Sequence, residues 1–212
     1  MATKINLYNG ALLLCGERFL ASLTEEVEPR RLLDHAWDTG GVRAALEKGQ
    51  WGFAMRTVLV DYDPGIQPDF GYQRGFLKPT DWVLTSALCS DEYFNSPLTQ
   101  YVDEAGYWYA DLDVIYVRYV SDDSSYGGDL AHWPESFREY MEAYLACKIV
   151  KSLTADKDTI DEVEKEEKER LEHAKSRAAM AAPTSFPARG AWSRSRSRST
   201  RGDRGNLSGD LY

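Results

Sequence analysis

Apolar residues three and four apart open the chain: Ile5, Leu7, Tyr8, Leu12 and Cys15 predict a short amphipathic helix over 3–16, ended by Gly16. Thr24 with Glu25 and Glu26 reads as the start of a second helix. Leu32, Leu33, Ala36, Trp37, Val42, Ala45 and Leu46 carry its period to a stop at Gly49, and Gly40-Gly41 predicts a bend in its middle. From Trp51 the texture changes to β-branched and aromatic residues broken by Pro64, Pro68 and Pro79. Phe53–Val60, Trp82–Leu84, Leu98–Val102, Tyr107–Ala110 and Val114–Val120 read as strands. Asp103–Gly106 is of turn length and predicts a hairpin over 98–110. Val114–Val120 is apolar on both pleat faces, which predicts the central strand of the small sheet.

After a polar loop, Ser121 to Asp129, Pro134 and Glu135 start the clearest helix. Phe137, Tyr140, Met141, Tyr144, Leu145, Cys147 and Val150 give it a broad apolar face with aromatics at the front. A last helix from about Asp156 keeps only a narrow stripe of Ile160, Val163, Leu171, Ala174 and Ala178 among many carboxylates. Such a stripe is wide enough for one packing partner, and the rest of the helix faces solvent or a wide cavity. The fold class is therefore α+β: a bundle of about four helices from 1–52 and 130–182, with a small antiparallel β domain inserted at 53–129. An extended tail, 183–212, completes the chain.

Charge divides the same way. The chain has 212 residues and a formal net charge of −9, yet 183–212 holds six arginines against two aspartates, about +4, so residues 1–182 carry about −13. An acidic body with a basic strap is two electrostatic objects. The strap contains Ser193-Arg194-Ser195-Arg196-Ser197-Arg198-Ser199 beside Trp192, with Phe186 before it and Arg201 after it. It lacks the apolar content for a core. Guanidinium groups meeting phosphates, docking on an acidic protein groove, and addition to an exposed strand edge all fit it.

Most chemistry is excluded. Cys15, Cys89 and Cys147 are odd in number, widely spaced and set among apolar neighbours, so they read as buried thiols. His35, His132 and His173 form no cluster with them, and no metal or other cofactor is expected. No Gly-rich phosphate loop, Gly-x-Ser-x-Gly or His-Glu-x-x-His occurs, so the chain is not expected to be an enzyme. Arg201-Gly202-Asp203 and Asn206-Leu207-Ser208 are short chance-level matches to adhesion and glycosylation patterns. The tyrosines and tryptophans of the β region suit a sugar site, but the simpler use is to fill a thin core and cover subunit contacts. No leader-like or membrane-spanning run is present, so a cytoplasm-like compartment without a membrane anchor is expected.

The order of these motifs carries a resemblance. Cys15-Gly16-Glu17-Arg18 ends the first helix and Gly49-Gln50-Trp51-Gly52-Phe53-Ala54 the second. Lys78-Pro79-Thr80-Asp81-Trp82 and a Tyr-rich hairpin lie in the β region. Val114-Ile115-Tyr116-Val117-Arg118-Tyr119-Val120 and Trp133-Pro134-Glu135-Ser136-Phe137 lead to a helix holding Ala143-Tyr144-Leu145-Ala146. The acidic helix and Gly190-Ala191-Trp192 follow. In this the chain resembles the head-to-tail connector, or adaptor, proteins of tailed bacteriophages, especially the tail tubular protein A family of short-tailed phages, over about 1–182. Gly40-Gly41 departs from that pattern.

The resemblance implies a structural virion protein, assembled in the host cytoplasm. Its members form a dodecameric homo-oligomeric ring between the portal protein above and the tail nozzle or tube below, and double-stranded DNA passes through the lumen without sequence readout. Phe186, Trp192, Arg194, Arg196, Arg198 and Arg201 are then candidate portal anchors. Asp161, Glu162, Glu166 and Glu169 are candidates for the lumen or a subunit interface, and the narrow-striped helix is expected to pack between subunits. The alternative is a soluble nucleic-acid-binding protein that reads through the Ser/Arg tail.

Overall fold

The computed structural model describes residues 3–66, 68 and 71–181. Helix α1, Lys4–Leu14, is capped by Thr3, whose side chain accepts from the Asn6 N–H, and it buries Leu7, Tyr8, Ala11 and Leu12. It ends where Gly16 takes φ +71° and the Glu17 N–H reaches back to the Leu12 carbonyl at 2.9 Å, the geometry only glycine adopts without strain.

The second helix starts later than its sequence suggests. α2 runs Glu28–Ala36, with Pro29 in its first turn. Thr24 and Glu25 are instead held in a turn: the Thr24 N–H donates to Ser22 Oγ and the Glu25 carboxylate accepts from the Ala21 N–H. These local side-chain bonds compete with the helical ladder. The bend is where the glycines put it. Trp37–Gly41 is a widened turn with Gly40 at φ +87°, after which α3, Val42–Leu46, resumes. A Cβ at Gly41 would lie 2.4 Å from the Ala36 carbonyl oxygen, so neither glycine is replaceable at low cost.

The β region holds two three-stranded antiparallel sheets rather than one. One has the order β1-β6-β3, from Met55–Asp61, Val114–Ser121 and Trp82–Cys89; the other has β2-β5-β4, from Arg74–Leu77, Tyr107–Ala110 and Val102–Glu104. β6 is central, as its two apolar faces predict. Ile115, Val117 and Tyr119 pack with Leu88 against Phe76, Trp108 and Ala110 of the other sheet, while Val120 joins the helical core.

The hairpin is shorter than the expected 98–110. Ala105 (φ +39°) and Gly106 (φ +89°) form its two-residue turn, so Val102–Glu104 alone pairs with Tyr107–Tyr109. Leu98 goes elsewhere: its N–H donates to the Leu88 carbonyl at 2.8 Å, and Pro97 bridges Cys89.

α4, Glu135–Leu153, is the spine of the larger core. Trp51, Phe53, Trp133 and Tyr140 surround Phe137, with ring centroids 4.8 Å apart for Trp51–Phe137 and 4.9 Å for Trp133–Phe137. α5, Lys157–Ala181, lies on α4 and uses its narrow stripe there: Val163 and Ala174 are buried, with Ile160, Leu171 and Ala178 packed beside them. The expectation that this stripe serves a neighbouring subunit is corrected. One helical partner is what a stripe of that width can cover, and α4 is that partner.

Helices and sheets share this core through Val83, Val120, Met55 and Leu84. Gly127 sits at the joint. A Cβ there would lie 2.3 Å from the Ser121 carbonyl oxygen and 2.7 Å from Leu46 Cδ1, and its own carbonyl accepts from Trp133 Nε1 at 2.8 Å. Gly127→Ala is expected to destabilise the protein by about 2–3 kcal/mol, read as a lowered urea midpoint at unchanged slope.

Candidate functional site

An amphipathic helix that spends its apolar stripe on α4 must turn its remaining faces outward, and on α5 those faces are charged. Asp158, Asp161, Glu162 and Glu172 are exposed and make no salt bridge among the described residues. With Lys165 and Glu169, 3.6 Å apart, they form one stripe along the helix at spacings of three and four. Three of the four predicted acidic residues, Asp161, Glu162 and Glu169, lie on it.

The fourth does not. Glu166 is half-buried and accepts from Arg170 Nε at 2.7 Å; Arg170 Nη1 also donates to the Glu139 carbonyl at 3.1 Å and lies 3.8 Å from the Glu142 carboxylate. Glu166 is therefore part of a clamp between α4 and α5. Glu164 likewise pairs with Lys151 at 2.7 Å, and that ammonium holds its carboxyl below the usual range.

The predicted anchors Phe186, Trp192, Arg194, Arg196, Arg198 and Arg201 lie outside the described residues. Large apolar side chains are exposed elsewhere: Leu13, Phe19 and Leu23 around the end of α1, Leu59 and Leu77 on the sheets, Tyr62 just past β1, and Tyr93 at a loop tip, 75% exposed. The loop carrying Phe19 is pinned through Leu20, whose N–H and carbonyl are both bonded by the Asn9 side chain.

Two polar knots grow from Lys78-Pro79-Thr80-Asp81-Trp82. Lys78, 9% exposed, pairs with Asp103 and lies 3.7 Å from the Trp82 ring centroid; Asp103 also accepts from Thr85 Oγ1 and Trp108 Nε1. Asp81 accepts from Arg56, Ser121 and Tyr119. Burial alone would push its carboxyl up, but the hydrogen bonds from Ser121, Arg56 and Tyr119 outweigh that and hold it below the usual carboxylate range. Arg43 adds a third tie, to the Asp122 carboxylate at 2.6 Å and the Trp82 carbonyl, joining α3 to the start of β3. These groups are saturated by one another, which suits a rigid joint better than a reacting centre.

The aromatics follow the simpler reading in part. Trp108 and Tyr119 fill the thin core between the sheets, and Tyr107 and Tyr109 pair on the outer face with centroids 6.2 Å apart. Cys15 and Cys89 are buried and Cys147 is half-buried; burial, with a contribution from Glu17, pushes Cys15 up to about 11, and burial also raises Cys89 and Cys147, which favours the neutral thiols. Among the described residues no group of three or more His, Cys, Asp and Glu side chains is placed to hold a metal ion, and no helix is long and apolar enough to cross a membrane.

No protein-family model matches the chain, and no curated protein matches it.

Proposed function

We propose that this chain is a subunit of the head-to-tail adaptor ring of a tailed bacteriophage, a dodecameric collar joining the portal to the tail nozzle or tube. The observation that carries the reading is the order of elements. A short helix and a bent second helix lead into a small β region between residues 55 and 121, and a core helix and an acidic helix follow, with an arginine-rich segment last. This is the order the family resemblance implies.

The electrostatics suit the task. Double-stranded DNA carries a phosphate charge about every 1.7 Å, and a wall of uncompensated carboxylates gives it nothing to bind. With the α5 stripe facing the channel, the ring is a low-friction collar. The basic segment is the opposite device. Arginines form bidentate bonds with carboxylates, and Trp192 and Phe186 are the aromatic types that anchor interfaces, so 183–212 is read as the tether to the portal. Leu13, Phe19 and Leu23 supply apolar surface for lateral contacts.

Sedimentation of the purified protein with purified portal tests this. The expected result is one co-sedimenting complex with equal numbers of the two chains. The contrary result is no portal binding, together with a DNA affinity that falls steeply with salt and is lost on replacing Arg194, Arg196 and Arg198 by Ala. That outcome would favour the nucleic-acid-binding alternative.

A further inference from the structure

We infer that the outer edge of β1 is a self-association site, which takes the same strand of a second copy of this chain in an antiparallel pair centred on Leu59. Two sheets of three strands have four edges, and three of them are blunted. β3 carries register shifts at Trp82/Leu84 and Thr85/Ala87, and the chain folds back onto its far end through Leu98 and Ser96. β2 and β4 are only four and three residues long, and β4 ends in Asp103 and Glu104, which would oppose another acidic edge. β1 has no register shift and is longer than β2 and β4, and its one acid, Asp61, lies at its end.

β1 is seven residues of unbroken register, from Met55 opposite Val120 to Asp61 opposite Val114. The Met55 N–H closes the preceding turn on the Gly52 carbonyl, and among the described residues the backbone of 56–61 is hydrogen-bonded to β6 alone. Its outward face shows Leu59, 54% exposed, beside exposed Thr57 and Asp61. A seven-residue edge left open, with an exposed leucine at its centre, is a template for another strand.

Charge and register select the occupant. Residues 1–182 carry about −13, which resists self-contact over most of the surface, whereas on β1 Arg56 is neutralised by Asp81, and Asp61, at the strand's end, is the strand's one acid and makes no salt bridge among the described residues. Opposite residues in an antiparallel pair share a face, so a two-fold pair must be centred on a residue. Centring on Leu59 sets it against its own symmetry mate, Val58 against Val60, and the Thr57 hydroxyl against the Asp61 carboxylate. No like charges meet, and the apolar centre is matched with itself. Such a pair closes at two subunits and does not propagate. It is thus separate from the head-to-tail contacts of a ring and independent of the adaptor reading.

One strand pair buries less than a standard interface, so the dimer is weak and reversible, with a dissociation constant on the order of 10–100 µM. Sedimentation equilibrium of the full chain across that range is expected to show the mass rising from 24.0 kDa toward twice that value. Leu59→Lys places like charges directly opposite and is expected to weaken dimerisation at least about 10-fold with an unchanged circular dichroism spectrum. As a second readout, Leu59→Cys should cross-link through a short bismaleimide, whereas Thr57→Cys, about 13 Å from its mate in this register, should not. A wild type that stays monomeric throughout, a dimer indifferent to Leu59→Lys, or equal cross-linking at both positions would overturn the inference. None of these readouts involves portal, so they fail or succeed separately from the proposed function.

Discussion

Truncation after Ala182 is expected to leave the melting temperature within about 2 °C of the full chain while lowering apparent affinity for portal assemblies by about 100-fold or more. The first half follows from the two cores, whose members among the described residues run from Leu7 to Ala178, ahead of the cut. The second half follows from charge. Six arginines and Trp192 leave with the segment, and what remains is a body near −13 whose α5 stripe repels any acidic partner. In the proposed ring many copies engage at once, so losing one proposed tether per subunit would be multiplied across the assembly. Portal affinity retained at full strength by the truncated protein would show that the tether lies elsewhere, and the exposed Leu13–Phe19 surface would be the next candidate.

Asp81→Ala is expected to destabilise the fold by about 3–5 kcal/mol, among the largest effects of any single polar replacement here. Asp81 gathers Arg56, Tyr119 and Ser121, and Tyr119 and Ser121 are fully buried. Removing the carboxylate strands two buried hydroxyls and one guanidinium. Burial also raises Tyr119, as does its hydrogen bond to Asp81, so the phenol stays a neutral donor. The pH dependence has a definite sign. Asp81 titrates lower in the folded state than in the unfolded chain, so its contribution is complete above the ordinary carboxylate range and is lost as pH falls through the folded value. Wild type should lose stability on acidification in that window, and Asp81→Ala should lose less. Urea titrations of both proteins at neutral and acid pH measure the difference; parallel acid profiles would remove Asp81 from the account.

Strong, uninterrupted periods carried most of the fold into view. α1 and α4 stand where three-and-four spacing put them, and β6 is central because Ile115, Val117, Tyr119 and Val120 cannot all be buried on one face. Gly40-Gly41 marked the bend by the same logic. What escaped was decided by partners rather than by local pattern. Arg74-Gly75-Phe76-Leu77 has a weak strand signature and becomes β2 only by pairing with β5, so the second sheet was invisible. Thr24–Glu26 has the composition of a helix start, but Ser22 Oγ takes the Thr24 N–H and the Glu25 carboxylate turns back to the Ala21 N–H, which makes a turn. The narrow stripe of α5 announced one packing face without saying whose. Asp161, Glu162 and Glu169 could be read as exposed from charge alone, whereas the burial of Glu166 depends on Arg170 turning toward α4. The Asp81 and Lys78 knots were legible only as an odd cluster of residue types, because their partners lie up to 40 residues away.

Twelve copies are proposed to form a collar on the portal with an acidic bore. An electron cryomicroscopy reconstruction of the complex formed from the two purified proteins tests it most directly. The expected reconstruction is a closed ring coaxial with the portal, with residues 183–212 running onto the portal surface and Asp158, Asp161, Glu162 and Glu172 facing the channel. A portal free of added density, or a ring whose bore is lined by neutral or basic residues while α5 faces outward, would contradict it.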